Sequence, residues 1–181
     1  YGQLWGTTIK SWQKVLNPDK GVGEWTGASP RPARHVIQFE DAFGLIQFEA
    51  LFMAFGEDAD PDDLGGTEYT DAYLNEMDKL REDLFINLAR SVGRYPSRGD
   101  IGLPDRHGLI HGRIFGDCNA PAPDTWVYRD WWSTKKPEGY RLCRQPGGLH
   151  PEAENIAAVG RGYYRQQVEA NAHRSWWIRV K

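Results

Sequence analysis

Tyr69-Thr70-Asp71-Ala72-Tyr73-Leu74-Asn75-Glu76 is the stretch on which the fold turns. Its first six residues are short, aromatic-rich and bounded by turn formers, the pattern of a strand buried in a sheet. The run then ends in a polar pair, Asn75-Glu76, just before a helical pattern. From Asp78 to Val92, residues Leu80, Leu84, Leu88 and Val92 recur at helical spacing with Phe85 and Ala89 alongside, and Asp78 stands where a cap belongs. After a polar loop over 96–106, Gly108-Leu-Ile-His-Gly-Arg-Ile-Phe-Gly116 reads as a second buried strand that runs into Asp117-Cys118-Asn119-Ala120-Pro121. A strand, a helix and a strand make a βαβ unit, which predicts a parallel pair with a right-handed crossover. The fold class expected is α/β with a mainly parallel sheet.

Upstream, Leu4, Thr8, Ile9, Trp12, Val15 and Leu16 predict a helix over 3–16, stopped by Asn17-Pro18-Asp19. Residues 21–34 are rich in Gly, Ser and Pro and read as a surface loop. The runs 35–40 and 45–55 flank Asp41-Ala42-Phe43-Gly44, which predicts an antiparallel hairpin with Gly44 at positive φ. The near repeat of Ile37-Gln-Phe-Glu40 in Ile46-Gln-Phe-Glu49 fits two paired strands. An acidic loop over 57–66 leads to Tyr69. Downstream, 124–133 predicts a short aromatic helix, 140–144 a further strand and 161–172 a late helix.

The length, 181 residues, suits a single domain over 1–181 or one cut from a larger protein. Tyr1 to Val15 reads as the inside of an ordered element and 175–181 as a strand beginning, so truncation at both ends is expected. A formal net charge of -3 supplies no global basic field for nucleic acid, and any DNA contact must be local. Two cysteines, Cys118 and Cys143, make no disulfide framework and suit reduced thiols inside a cell. No run approaches the ~20 apolar residues of a membrane helix, so no membrane partner is expected.

In open parallel sheets, ligands bind outside the carboxyl ends of the strands. Asn75-Glu76 and Asp117-Cys118-Asn119 both fall at that edge. Nucleotide hydrolysis needs a carboxylate beside the attacking water and a polar group that orients the phosphate or a metal-bound water. Glu76 suits the first task. Asn75 suits the second, as a neutral group touching a metal through water, and Asn119 suits sensing of a γ-phosphate. By position alone, the pair equally suits a cap on the next helix. No G-x-x-x-x-G-K-[ST] cradle for phosphates occurs in the chain, so the chain should not hydrolyse ATP unaided.

Several segments occur in one order: Thr7-Thr-Ile-Lys-Ser-Trp12, Leu74-Asn-Glu76, Val92-Gly-Arg-Tyr-Pro-Ser97, Gly116-Asp-Cys-Asn-Ala-Pro121, Pro137-Glu-Gly-Tyr-Arg-Leu-Cys-Arg-Gln-Pro-Gly-Gly148, Glu154-Asn155 and Gly162-Tyr-Tyr164. This series resembles the ATPase domain of phage terminase large subunits, over nearly the whole chain. The resemblance implies a P-loop-NTPase sheet of the ASCE type, with the P-loop upstream of Tyr1 and a nuclease domain downstream of Lys181. It implies ATP and Mg2+ as cofactors of the full-length protein. The implied partners are double-stranded DNA, the portal protein, the small terminase subunit and copies of itself in a ring on the procapsid, in the bacterial cytoplasm. Carried over by position, Asn75-Glu76 matches the Walker B end and Cys118-Asn119-Ala120 the coupling motif. Asn75 departs from the usual Asp, and Cys118 stands where a hydroxyl residue is common.

Other signals weigh less. His107 and His111 have the i, i+4 spacing of zinc helices, but in a strand that spacing spans about 13 Å, beyond shared coordination. Asp58, Asp60 and Asp62 imitate a calcium loop without its Gly or bidentate Glu. Arg90, Arg94, Arg98 and Arg106 could face DNA phosphate or a neighbour's nucleotide, or form a solvated rim. Trp126, Trp131 and Trp132 with Tyr128 suit a core, and otherwise a non-enzymatic stacking surface for glycans or a protein. An inactive prophage remnant is the third reading.

Overall fold

The computed structural model describes residues 2–29, 31–56, 58–96, 112–133, 136–153, 156–160 and 162–172. The chain separates into two compact units, Tyr1–Ala59 and Asp60–Lys181. The expectation of a single domain over 1–181 concerns the relation between them, and each unit is a structure in its own right.

In the first unit, the expected N-terminal helix forms as a π-helical turn, Leu4–Thr8, that continues into α1, Ile9–Val15. Three strands follow: β1, Glu24–Thr26; β2, Ala33–Asp41; and β3, Gly44–Phe52, in the antiparallel order β1-β2-β3. Part of the expected loop over 21–34 is therefore strand. Trp25 there pairs across from His35, a long-range partner that local composition does not reveal. The hairpin closes at Asp41↔Gly44, with Gly44 at φ 118 and the Phe43 N–H held by Asp41 Oδ1 at 2.7 Å. The near repeat pairs about its own centre, Gln38 opposite Gln47, whose side chains hydrogen-bond at 2.7 Å.

Strand alternation puts Ala33, His35 and Ile37 on one face of β2, and α1 covers that face through Trp12. The Trp12 ring stacks on Phe48 at 6.1 Å and meets Phe52 edge-on at 5.3 Å. Ile9, Ala33 and His35 are buried beneath. His35 satisfies both ring nitrogens, accepting the Trp12 indole N–H at Nδ1 (2.9 Å) and facing the Val22 carbonyl through Nε2 at 2.7 Å. Since a carbonyl only accepts, Nε2 carries the proton and the ring is the neutral tautomer.

The second unit holds the βαβ element. β4, Asp71–Leu74, pairs in parallel with β5, Arg113–Gly116, in the register Asp71↔Arg113 to Leu74↔Gly116. Between them runs α2, Glu82–Ser91, which buries Leu84, Phe85, Leu88 and Ser91. A 3-10 turn at Pro61–Leu64, capped by the Asp60 side chain on the Asp62 N–H, brings Leu64 into the same core. The acidic loop thus has a packed end. Past α2 the chain returns beside Tyr69, whose carbonyl accepts the Gly93 N–H at 2.7 Å. Gly93 lies at φ 78, and a Cβ on it would stand 2.8 Å from Gly112 N and 2.9 Å from Gly112 Cα. Only glycine fits that crossing of backbones.

Asp78 does not cap the helix. It lies in a 3-10 turn, Met77–Lys79, and the chain runs extended through Leu80 and Arg81 before α2 begins with Glu82 and Asp83, acidic residues suited to the positive helix start. The expected aromatic helix is a π-helical turn, Tyr128–Trp132. Residues 140–144 form no strand: Tyr140 stacks on Trp131 at 4.5 Å, and none of the described strands pairs with them. Two late helices complete the unit, α3, Ile156–Val159, and α4, Tyr163–Ala170, and Gly148 lies against the Tyr164 ring. The architecture is mixed helix and strand, with a small antiparallel sheet and a parallel pair. Among the described residues the parallel element is this pair and not the main sheet. No helix among them is long and apolar enough to cross a membrane.

Candidate functional site

The parallel register sets Asn75 and Asp117 side by side, because each is the residue that follows a paired strand end, Leu74↔Gly116. Asn75-Glu76 and Asp117-Cys118-Asn119 therefore share the carboxyl edge of adjacent parallel strands, as the sequence predicts. Asn75 and Asn119 are exposed and Glu76 is half-buried. Leu74 and Met77, which flank the pair, are buried and anchor it.

Glu76 has φ 52 and ψ 50, the left-handed conformation, and is the one non-glycine residue with positive φ among the described residues. For a side chain with a Cβ this conformation costs about 1–2 kcal/mol, and such strain collects where function needs a fixed geometry. The turn is held from across the sheet. Asp117 Oδ1 accepts the Glu76 backbone N–H at 3.3 Å and the Tyr73 hydroxyl at 2.8 Å. The Asp117 carbonyl accepts the Met77 N–H at 2.9 Å, and the Asp117 N–H donates to the Leu74 carbonyl at 3.1 Å. Lys79 Nζ donates to Glu76 Oε2 at 2.6 Å, and that bond holds the ammonium above its usual pKa.

Desolvation of the hydroxyl, on a ring that is otherwise exposed, then its hydrogen bond to Asp117, pushes the Tyr73 phenol up to about 12. Burial pushes the Cys118 thiol up to about 11, with the Asp78 and Asp117 charges adding to it. Cys118 is thus a protonated thiol at neutral pH, poor as a nucleophile. Asp78 is also raised, by burial first, and its Oδ1 is buried with no hydrogen-bond partner. No group of three or more His, Cys, Asp or Glu among the described residues is disposed to hold a metal ion. Asp60 caps its own turn by accepting the Asp62 N–H.

Of the expected arginines, Arg90 leans on Asn87 Oδ1 at 3.3 Å and Arg94 pairs with Glu68 at 3.6 Å. Arg98, Arg106, His107 and His111 lie outside the described residues. The tryptophans are half-buried and pack at the edge of the core. Trp126 and Trp131 pack on Phe85 at 4.9 and 5.5 Å, stand 71° to one another, and Trp126 donates to the Leu80 carbonyl at 2.7 Å. They make no flat stacking platform; Trp132 carries the Arg144 guanidinium over its ring at 5.6 Å. Sequence reasoning singled out neither Tyr73 nor Lys79, and it placed Asp117 at the edge without giving it a role. The available signal was Asp117 itself, an acidic residue at the strand end level with Asn75.

Compared with protein-family models, with curated proteins and with solved structures, the chain matches none.

Proposed function

We propose that the chain is part of the ATPase motor of a phage or prophage terminase large subunit, which drives double-stranded DNA into procapsids, with Glu76 as the base that activates the attacking water. The observation that carries this reading is the parallel register Leu74↔Gly116, because it puts a carboxylate and the polar Asp117-Cys118-Asn119 segment at one carboxyl edge. Phosphoryl transfer to water asks for little covalent chemistry and much positioning, so a carboxylate held in a fixed, strained turn suits the task.

ATP and Mg2+ belong to the full-length protein on this reading. The donor set suits a metal held mainly by the nucleotide's phosphates and by water: Asn75, exposed and neutral, would hold such a water by a hydrogen bond. When bound, the ion neutralises charge that develops on the phosphates. Asn119 senses the γ-phosphate, and Cys118 lies in the coupling segment. Arg90 and Arg94, with Arg98 and Arg106, are the candidates for DNA phosphate or a neighbour's nucleotide in a homo-oligomeric ring on the portal. The work takes place in the bacterial cytoplasm with the small terminase subunit.

The test is Glu76→Gln in the full-length protein. A general base contributes roughly 100- to 10,000-fold, so ATP turnover should fall by at least about 100-fold while ATP affinity stays within about threefold. Turnover within threefold of the parent would reduce Glu76 to a structural residue.

A further inference from the structure

We propose that Asp117 is the positioning residue of Glu76, so that the segment after β5 sets the aim of the carboxylate after β4. The inference rests on the reading of Glu76 as the water-activating base and names what controls that site. Its ground is the pattern of bonds around the turn. Asn75 and Glu76 form a two-residue excursion between buried Leu74 and buried Met77. Asp117 grips that excursion at three places: the Leu74 carbonyl takes its N–H at 3.1 Å, the Met77 N–H gives to its carbonyl at 2.9 Å, and the Glu76 N–H gives to its Oδ1 at 3.3 Å.

Two of these bonds are backbone to backbone and fix the spacing of the strand ends. The third is different: it is the one made by a side chain, and it reaches the residue whose φ is 52. An L-residue leaves the left-handed region unless its surroundings hold it there. Tyr73 completes the arrangement by donating to the same Oδ1 at 2.8 Å, which turns the carboxylate toward the Glu76 amide. Asp117 therefore fixes the backbone from which the Glu76 side chain leaves, while Lys79 Nζ meets the carboxylate at 2.6 Å. Because Asp117 adjoins Cys118 and Asn119, a shift of that segment on its nucleotide or DNA side moves the Glu76 amide with it.

The experiment measures ATP turnover by the full-length protein with Asp117→Ala, Asp117→Asn, Tyr73→Phe and, as reference, Glu76→Gln. Misplacing a reacting group by about 1 Å costs up to about 100-fold. Asp117→Ala should lower kcat by about 10- to 100-fold with KM for ATP within about twofold. Asp117→Asn keeps an Oδ1 acceptor for both donors and should stay within about threefold of the parent, and Tyr73→Phe should fall between the two. If Asp117→Ala does not fold, Asp117→Ser replaces it, since a hydroxyl on a shorter side chain cannot serve both donors, and the same loss is expected.

The outcomes separate cleanly. Loss of turnover with Glu76→Gln but a kcat within threefold for Asp117→Ala, or for Asp117→Ser where it replaces it, overturns the positioning role and leaves the base in place. An equal loss in Asp117→Asn and Asp117→Ala overturns it as well, because the acceptor geometry then makes no difference. Unchanged turnover with Glu76→Gln overturns the base and this inference together.

Discussion

Replacing Glu76 by glycine and, separately, by alanine isolates the backbone strain at the candidate site. Both variants remove the carboxylate and its bond to Lys79, and both keep the backbone N–H that reaches Asp117, so those losses cancel in the comparison. What differs is the Cβ at φ 52. Alanine retains the left-handed penalty of about 1–2 kcal/mol, whereas glycine escapes it. Glycine in turn loses about 0.5–1 kcal/mol through the freedom of its unfolded chain. The balance leaves Glu76→Gly more stable than Glu76→Ala by about 0.5–1 kcal/mol. For a chain of this size that corresponds to a melting temperature higher by about 1–4 °C. Circular dichroism melts and urea titrations of the two variants at one pH are the assay. If alanine equals or exceeds glycine, Glu76 does not occupy the left-handed region, and the account of a strained, held carboxylate fails.

Asp78→Asn should raise the melting temperature at pH 7 by about 1–2 °C, the size left for a partly exposed carboxylate after solvent screening. The sign follows from burial, which raises the folded-state pKa of Asp78: the folded state favours the proton, and stability is lost as pH rises through that value. The advantage of Asn should therefore vanish as pH falls below about 4, the ordinary carboxylate range, and melts at the two pH values check it; an advantage that persists at low pH would refute the charge argument. Gly93→Ala should cost about 2–5 kcal/mol, the sum of a left-handed Cβ and overpacking against backbone atoms of Gly112 that cannot rotate away; a urea midpoint close to the parent's would refute the close crossing. Iodoacetamide at pH 8 should label exposed Cys143 first and Cys118 at least about tenfold more slowly, since the Cys118 thiol is pushed up to about 11; equal rates by mass spectrometry would refute its burial.

Local rules carried a good part of the structure. The hairpin was legible because Asp41-Ala-Phe-Gly44 is a turn whose chemistry lies within four residues, and β4 and α2 were legible as elements because their apolar periods differ, but β4 and β5 are not the buried strands expected: Tyr73 and Phe115 are exposed. Where the reading missed, a distant partner decided. Trp25 is in a strand because residues 34–36 pair with it, and 140–144 is not a strand: Tyr140 stacks on Trp131 and none of the described strands pairs with that segment. Asp78 seemed a cap by spacing, but the turn at Glu76 delays the helix to Glu82.

At the candidate site the division is the same. Residue types and period placed Asn75-Glu76 and Asp117-Cys118-Asn119 at strand ends, and a βαβ reading made those ends neighbours, because strand order and strand polarity follow from elements close in sequence. The conformation of Glu76 was beyond that reach. Its φ of 52 and its bond to a carboxylate 41 positions away exist only once β5 lies beside β4. A side-chain type is written in the sequence; the direction in which it is held depends on hydrogen bonds between segments that meet only in the folded chain.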